Sequence, residues 1–200
     1  MARIAEARRP AAPISERQVA RRERILDAAA ELGAEADYER VQMLDVARRA
    51  DVAIATLYRY FPSKTHLFAA VFEARIDRFV TRYWIGSSGD PVEDLGERLV
   101  ALSRDLLSTP KLCATLMHAA AASYVAGPPD DDGMPDLMIV RAILDTLGDQ
   151  VPDRADLAAI RLLIYSWWGV LVSGLNHKLP RELAESDLRL ATRLILAPFR

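Results

Sequence analysis

The sequence predicts an all-α chain of nine helices, with an N-terminal three-helix unit ahead of a larger helical body. Three observations carry this. No run of β-branched residues alternates with polar ones between hairpin turns, as strands would require. Apolar residues recur instead at helical spacing, as at 67, 68, 71, 72, 76, 79, 80, 83 and 84. Helix start and stop signals punctuate the whole chain.

The elements follow in order. Ser15 and Gln18 fit a capping box before a first helix, with Ile25, Leu26, Ala29 and Leu32 on one face and Gly33 as its end. A short helix covers about 42–49, with Val46 and Ala47 inward, and a second covers about 53–60. Ser63 caps a long helix that should end near Gly86. Asp90-Pro91-Val92-Glu93 supplies a cap, a proline at the first position and a glutamate in the first turn. That helix should end before Pro110, and Thr109 caps the next, which reaches about Tyr124. The stretch 127–135 is a Pro- and Asp-rich loop, read as solvated. Helices then cover about 136–147, closed by Gly148, and 154–175, closed by Pro180. Ser186 caps a last helix over about 187–196. The expected organisation is a basic arm (1–14), a three-helix unit (15–62) and a body (63–200).

Composition narrows the function classes. The 200 residues are 51% hydrophobic and 27% charged, enough for a sizeable core under a polar surface. One cysteine, Cys113, excludes an intramolecular disulfide and fits a reducing cytoplasm. The N-terminus has no apolar segment of a secretory signal, and the uncharged run 162–175 is too short to span a membrane. The net charge of −2 hides an asymmetry: residues 1–64 carry 12 Lys+Arg against 10 Asp+Glu, and the first 24 hold seven arginines against three glutamates. A basic arm on an acidic chain suits a polyanionic partner; the other reading is a tail with incidental charge.

Two short helices, a tight turn at Ala50-Asp51 and then a long helix read as a helix-turn-helix. Ala47 is small where the helices cross, and Asp tolerates the left-handed conformation such a turn needs. The second helix is expected to expose Ile54, Thr56, Arg59 and Tyr60, with Tyr58 at the edge. Hydroxyls there reach phosphates, and apolar parts reach thymine methyls. Lys64 is expected to add a phosphate clamp at a helix N-terminus, with Gln42, Met43 and Arg24 as further DNA contacts. The alternative for Tyr58 and Tyr60 is a place in the core.

The stretches RERILDAAAEL, at 22–32, and VARRADVAIATLYRYFPSKTHLF, at 46–68, resemble the TetR family of one-component bacterial regulators. The core TLYRYFPSK is highly specific for it. Within the family, 38–68 resembles the steroid (cholesterol) catabolism repressors, sharing the tyrosine, VQM and ADVA pattern. The chain departs from many members in having Asp51 for Gly and Ala53 for Ser. Losing that serine removes a side-chain cap that contributes ~1 kcal/mol. The resemblance implies a homodimeric repressor on a near-palindromic double-stranded DNA operator, released by a small-molecule effector.

In the body, Phe72, Phe79, Tyr83, Leu106, Met117, Tyr124, Trp168 and Leu171 are expected to line a pocket for a large, mainly apolar effector, a steroid or its coenzyme A thioester. The other reading is that they fill the core completely. The 154–175 helix is apolar almost all round, so it needs cover on more than one side. Trp167 and Gly174 there, and Leu188, Ala191, Leu194 and Ile195 on the last helix, are expected at a dimer interface. His66, His118, His177 and Cys113 lack metal-ligand spacing, so no metal is expected. His118 reads as a core histidine. No catalytic constellation or cofactor motif appears, which disfavours a helical enzyme or carrier; an activator is the remaining alternative.

Overall fold

The structure, a computed structural model, describes residues 15–84, 89–126, 138–148 and 152–197. Among these residues there are nine helices and no strand: α1 (Glu16–Glu35), α2 (Met43–Arg49), α3 (Ile54–Tyr60), α4 (Lys64–Tyr83), α5 (Pro91–Leu107), α6 (Pro110–Ala126), α7 (Met138–Leu147), α8 (Arg154–Leu175) and α9 (Arg181–Ile195). Gly86 and the 127–135 loop lie outside the described residues, as does the basic arm.

The first compact unit is Met1–Ala74 with Thr109–Pro128. It therefore joins α1, α2, α3, the start of α4 and α6. Its core contains Ile25, Leu26, Val46, Leu57, Phe61, Leu67, Phe68 and Leu116, each at most 2% exposed. Burying a side chain of this size contributes ~1.5–3 kcal/mol, so this small unit is well supported.

Helix α1 does not stop at Gly33. It runs to Glu35, and Gly33 is buried inside it. A Cβ at Gly33 would come within 2.9 Å of Phe68 Cε1 and 3.0 Å of Leu112 Cδ1. The glycine serves close packing rather than termination. Ser15 occupies the N-cap position but makes no side-chain cap bond, so the expected capping box does not form. Ser63 does cap α4, its Oγ accepting from the His66 amide at 3.3 Å.

The second unit is Arg75–Ser108 with Pro129–Arg200. Asp90 caps α5 by accepting from the amides of Val92 (2.9 Å) and Glu93 (3.1 Å). Asp153 and Asp156 form a capping box at the start of α8. α8 ends at Leu175 as expected, but Pro180 is not its terminator. His177 takes a left-handed φ of 51°, and the Lys178 amide bonds back to the Ser173 carbonyl at 3.2 Å. Pro180 instead starts α9, so Ser186 lies inside that helix and not at its cap. The intervening residues 181–185 (RELAE) are good helix formers, and they extend the helix back to the proline.

Helix α9 packs on α8 and on α5. Trp167 is buried and donates its indole N–H to Ser103 Oγ at 2.9 Å, which in turn donates to the Leu99 carbonyl. A Cβ at Gly174 would meet Leu107 Cδ1 at 2.9 Å. Glu185 joins α9 to α5 through Arg104, with Nε–Oε1 at 2.7 Å, and is also bonded by Arg181 at 3.0 Å. Arg189 reaches Glu97 on α5 at 2.6 Å.

Helix α8 is the one described helix long and apolar enough to cross a membrane by length and composition, and only 22% of its apolar window is buried within the chain. Its inner side is nonetheless fixed in the unit's core by Ile160, Leu163, Trp167 and Leu171.

Candidate nucleic-acid interface

Helices α2 and α3 meet through Val46, Ala47 and Leu57, all essentially inaccessible. The turn between them is closed by Asp51 in the left-handed region, φ 53°, as its short polar side chain permits. Arg49 clamps α2 onto α1, its guanidinium bonded to Glu31 at 3.0 Å and Glu35 at 3.2 Å. These two carboxylates, Glu35 first, raise the Arg49 pKa further. α3 starts at Ala53, which offers no side-chain cap.

The outward face of α3 is smaller than the sequence suggested. Tyr58 is 47% exposed and Arg59 is exposed, while Ile54 and Thr56 are half-buried. Tyr60 is not on that face. It is 3% exposed, with its hydroxyl buried and without a hydrogen-bond partner. Leu57, Tyr60 and Phe61 follow the i, i+3, i+4 spacing of one helix face, and that face is inward. Arg59 lies over the Tyr60 ring at 5.5 Å and Arg22 over Phe61 at 5.6 Å, so the buried rings carry a cationic outer layer. Met43 is likewise buried, as the first residue of α2's inner face, whereas Gln42 and Arg24 are exposed.

Lys64 is half-buried, and its ammonium does not stand free as a clamp. It donates to the backbone carbonyls of Tyr38 (2.5 Å), Val41 (3.2 Å) and Glu39 (3.4 Å) and lies 4.3 Å from the Tyr38 ring centroid. An ammonium has three donors, and all three point into the α1–α2 connection. Burial lowers its pKa, with Glu39 opposing the shift. A lysine in the first turn of a helix is electrostatically misplaced against the helix dipole. That misfit was a sequence signal that its charge is held by something else.

His118 is exposed rather than a core histidine, and it stacks on Tyr38 at 4.3 Å between centroids. Cys113 is buried, as a small core residue would be. Among the described residues no group of three or more His, Cys, Asp or Glu could hold a metal ion.

The candidate effector residues fall in both units. In the first, Phe72 and Met117 are buried and Tyr124 is 67% exposed. In the second, Phe79, Leu106 and Leu171 are buried, Trp168 is half-buried and Tyr83 is 56% exposed. Tyr83 and Tyr124 therefore sit on the surface, at the ends of their helices. Of the candidate interface residues, Trp167, Gly174 and Leu188 face the chain's own core. Ala191 and Ile195 are half-buried, and Leu194 is exposed. An outward stripe runs along α8 at Leu162, Tyr165, Gly169 and Val172, at steps of three and four, with Leu183, Leu190 and Leu194 exposed on α9.

Comparison with known proteins agrees with this arrangement. Residues 25–71 match the bacterial regulatory proteins of the tetR family, and residues 89–195 match the tetracyclin repressor-like C-terminal domain. The chain is 36% identical over 189 residues to the HTH-type transcriptional repressor KstR of Mycolicibacterium smegmatis, covering 91% of this chain and 90% of that protein. It is 35% identical over 187 residues to KstR of Rhodococcus jostii, covering 91% and 85%. Among solved structures, a TetR transcriptional regulator from Rhodococcus sp. RHA1 is similar with a TM-score of 0.82 and 44% identity, over 90% of this chain and 98% of that one.

Proposed function

We propose, for a chain that belongs to the tetR family of bacterial regulatory proteins and is a transcriptional repressor of that family, that it occupies a near-palindromic operator as a cytoplasmic homodimer and leaves it when a large, mainly apolar molecule binds. The observation that carries the DNA part is the α2–α3 unit, with its left-handed Asp51 turn and an outward face of Tyr58, Arg59, Thr56 and Ile54. Tyr58 and Arg59 reach phosphates; Thr56, Ile54 and Gln42 meet base edges. Arg24 adds charge from α1. Tyr60, Met43 and Lys64 act by holding this face in place.

The dimer reading rests on Gly169. A glycine inside a helix costs ~1 kcal/mol relative to alanine. A Cβ there would meet nothing within 4 Å among the described residues, so their packing does not explain it. Close approach of a second copy's α8 along the Leu162–Val172 stripe does. Two subunits so joined present two α3 helices to successive major-groove faces, about one DNA turn (~34–36 Å) apart.

The effector reading rests on the apolar character of Phe79, Leu106 and Leu171 in the second unit and on the resemblance of the reading head to steroid-catabolism repressors. A steroid or its coenzyme A thioester is the proposed class. By linkage, an effector that weakens DNA binding is itself weakened by DNA by the same factor.

The test is a gel shift against the DNA upstream of the chain's own gene, followed by release with panels of apolar and polar compounds. A retarded band at dimer stoichiometry, released by sterols and acyl-CoA thioesters, is expected. No retardation would sink the DNA reading, and release by small hydrophilic metabolites alone would sink the effector reading.

A further inference from the structure

The α1–α2 connection carries a contact that DNA binding as described above does not use. Tyr38 lies in it, four residues before Gln42, and is half-buried. Its ring receives the Lys64 ammonium and meets Phe68 edge-on at 5.9 Å, and its hydroxyl shares a 3.0 Å hydrogen bond with Thr65 Oγ1. Three side chains of α4 thus hold one aromatic residue of a loop. On the same ring lies the imidazole of His118, from the middle of α6, tilted by 38°.

Tyr38 belongs to the stretch that matches the DNA-binding family and His118 to the stretch that matches the C-terminal domain, yet both lie in the first compact unit. Helix α6 also packs on helix α1 itself. Leu112 meets Gly33, and Lys111 Nζ donates to the Glu35 carbonyl at 3.4 Å. Contacts between two helices hold rods together. A contact on the loop sets where the loop lies relative to the rods. This loop delivers Gln42 and the start of α2, and α2 in turn seats α3.

We propose that Tyr38 is a positioning residue for DNA binding and that His118 is the side chain through which helix α6 controls its position. This rests on the DNA-binding reading above. A displacement of α6 unstacks His118, removes one support of the Tyr38 ring and frees the loop that carries Gln42. This gives α6 a lever on the reading head that does not run along α4. The lever works in both directions: DNA that fixes the loop must also favour the stacked position of α6. A stack of this kind shifts such an equilibrium by a factor of roughly 2 to 10.

The experiment is hydrogen exchange by mass spectrometry on the full chain, free and bound to a DNA fragment that the wild-type chain selects from a random-sequence library. Amides of α9 serve as the internal reference. In the wild type, DNA should slow exchange around residues 115–121 by a factor of roughly 2 to 10 relative to α9. His118→Ala should lose that extra slowing while still binding the fragment. His118→Phe, which keeps a ring against Tyr38, should restore it. Equal slowing in all three proteins overturns the proposal, and so does a wild-type α6 that responds no more than α9. If the wild type selects no fragment, the DNA-binding reading falls and this one with it; a selected fragment with a silent α6 overturns this one alone.

Discussion

The Val52 amide donates to the Ala47 carbonyl across 3.0 Å, and Asp51, immediately before Val52, is held at φ 53° by that closure. A left-handed L-residue costs roughly 1–2 kcal/mol, least for Asp and Asn. Asp51→Val should therefore lower stability by about 2 kcal/mol, a fall in Tm of roughly 4–8 °C for a chain of this size. Asp51→Gly should be neutral to mildly stabilising, because relief of strain is offset by the added freedom of the unfolded chain. Thermal melts followed by circular dichroism check both.

Lys64→Met tests whether that ammonium holds the protein's own backbone or a phosphate. Removing it leaves carbonyls of the α1–α2 connection without their charged donor. A loss of about 1–3 kcal/mol in stability is expected. Operator affinity should fall with it, but the slope of log affinity against log salt should stay as in the wild type. A phosphate contact would instead shallow that slope by about one. Binding titrations at several salt concentrations, with urea melts, separate the two.

Tyr60→Phe removes a buried hydroxyl that has no hydrogen-bond partner. Its desolvation is uncompensated in the folded chain, so the variant should be more stable by about 1 kcal/mol and keep its base preference. Tyr58→Phe, on the exposed face, should leave stability within about 0.5 kcal/mol and weaken DNA binding. Side-by-side melts and operator titrations of the two variants decide it.

Glu185 contributes to the acid sensitivity of the second unit. Its hydrogen bond from Arg104, then that from Arg181, draws its carboxyl from the usual 4.5 down to about 2, against the opposing effect of burial. A carboxyl depressed on folding contributes stability that is whole above the unfolded value and is lost as pH falls towards the folded one. Stability should thus decline between about pH 4.5 and pH 2. Glu185→Gln should flatten that decline and cost about 1–2 kcal/mol at pH 7, since its arginine partners are partly solvated. Urea melts across this pH range provide the check.

What could be read from the sequence was what depends on neighbours along the chain. The Asp90 cap, the bounds of α8, the Asp51 turn and the inward Val46 and Ala47 follow from spacing and local backbone chemistry. What was misread depends on partners far away. Gly33 looked like a stop because glycine often ends helices, although Leu26, Ala29 and Gly33 already marked one inward face. Ser186 has the residue type of a cap, but the proline six residues earlier already starts that helix. At the candidate site, Tyr58 and Arg59 were placed outward by the helix period. Tyr60 was misplaced by its polar end, although its spacing from Leu57 pointed inward. Lys64 and the Tyr38–His118 stack join residues 23 or more apart in sequence, and no periodicity encodes such a meeting.

Gly33 has a consequence at the level of the gene. Every single-base missense change of a glycine codon installs at least a Cβ, and here that atom would press on Phe68 and Leu112, both buried. Alanine is the mildest: its helix propensity returns about 1 kcal/mol against an overpacking cost of about 1–3 kcal/mol. Serine and cysteine add a further atom, valine branches into the same space, and aspartate, glutamate, arginine or tryptophan have nowhere to go. Codon 33 is therefore a position with almost no neutral neighbours, and in a saturation library selected only for folding it should be among the most depleted in α1.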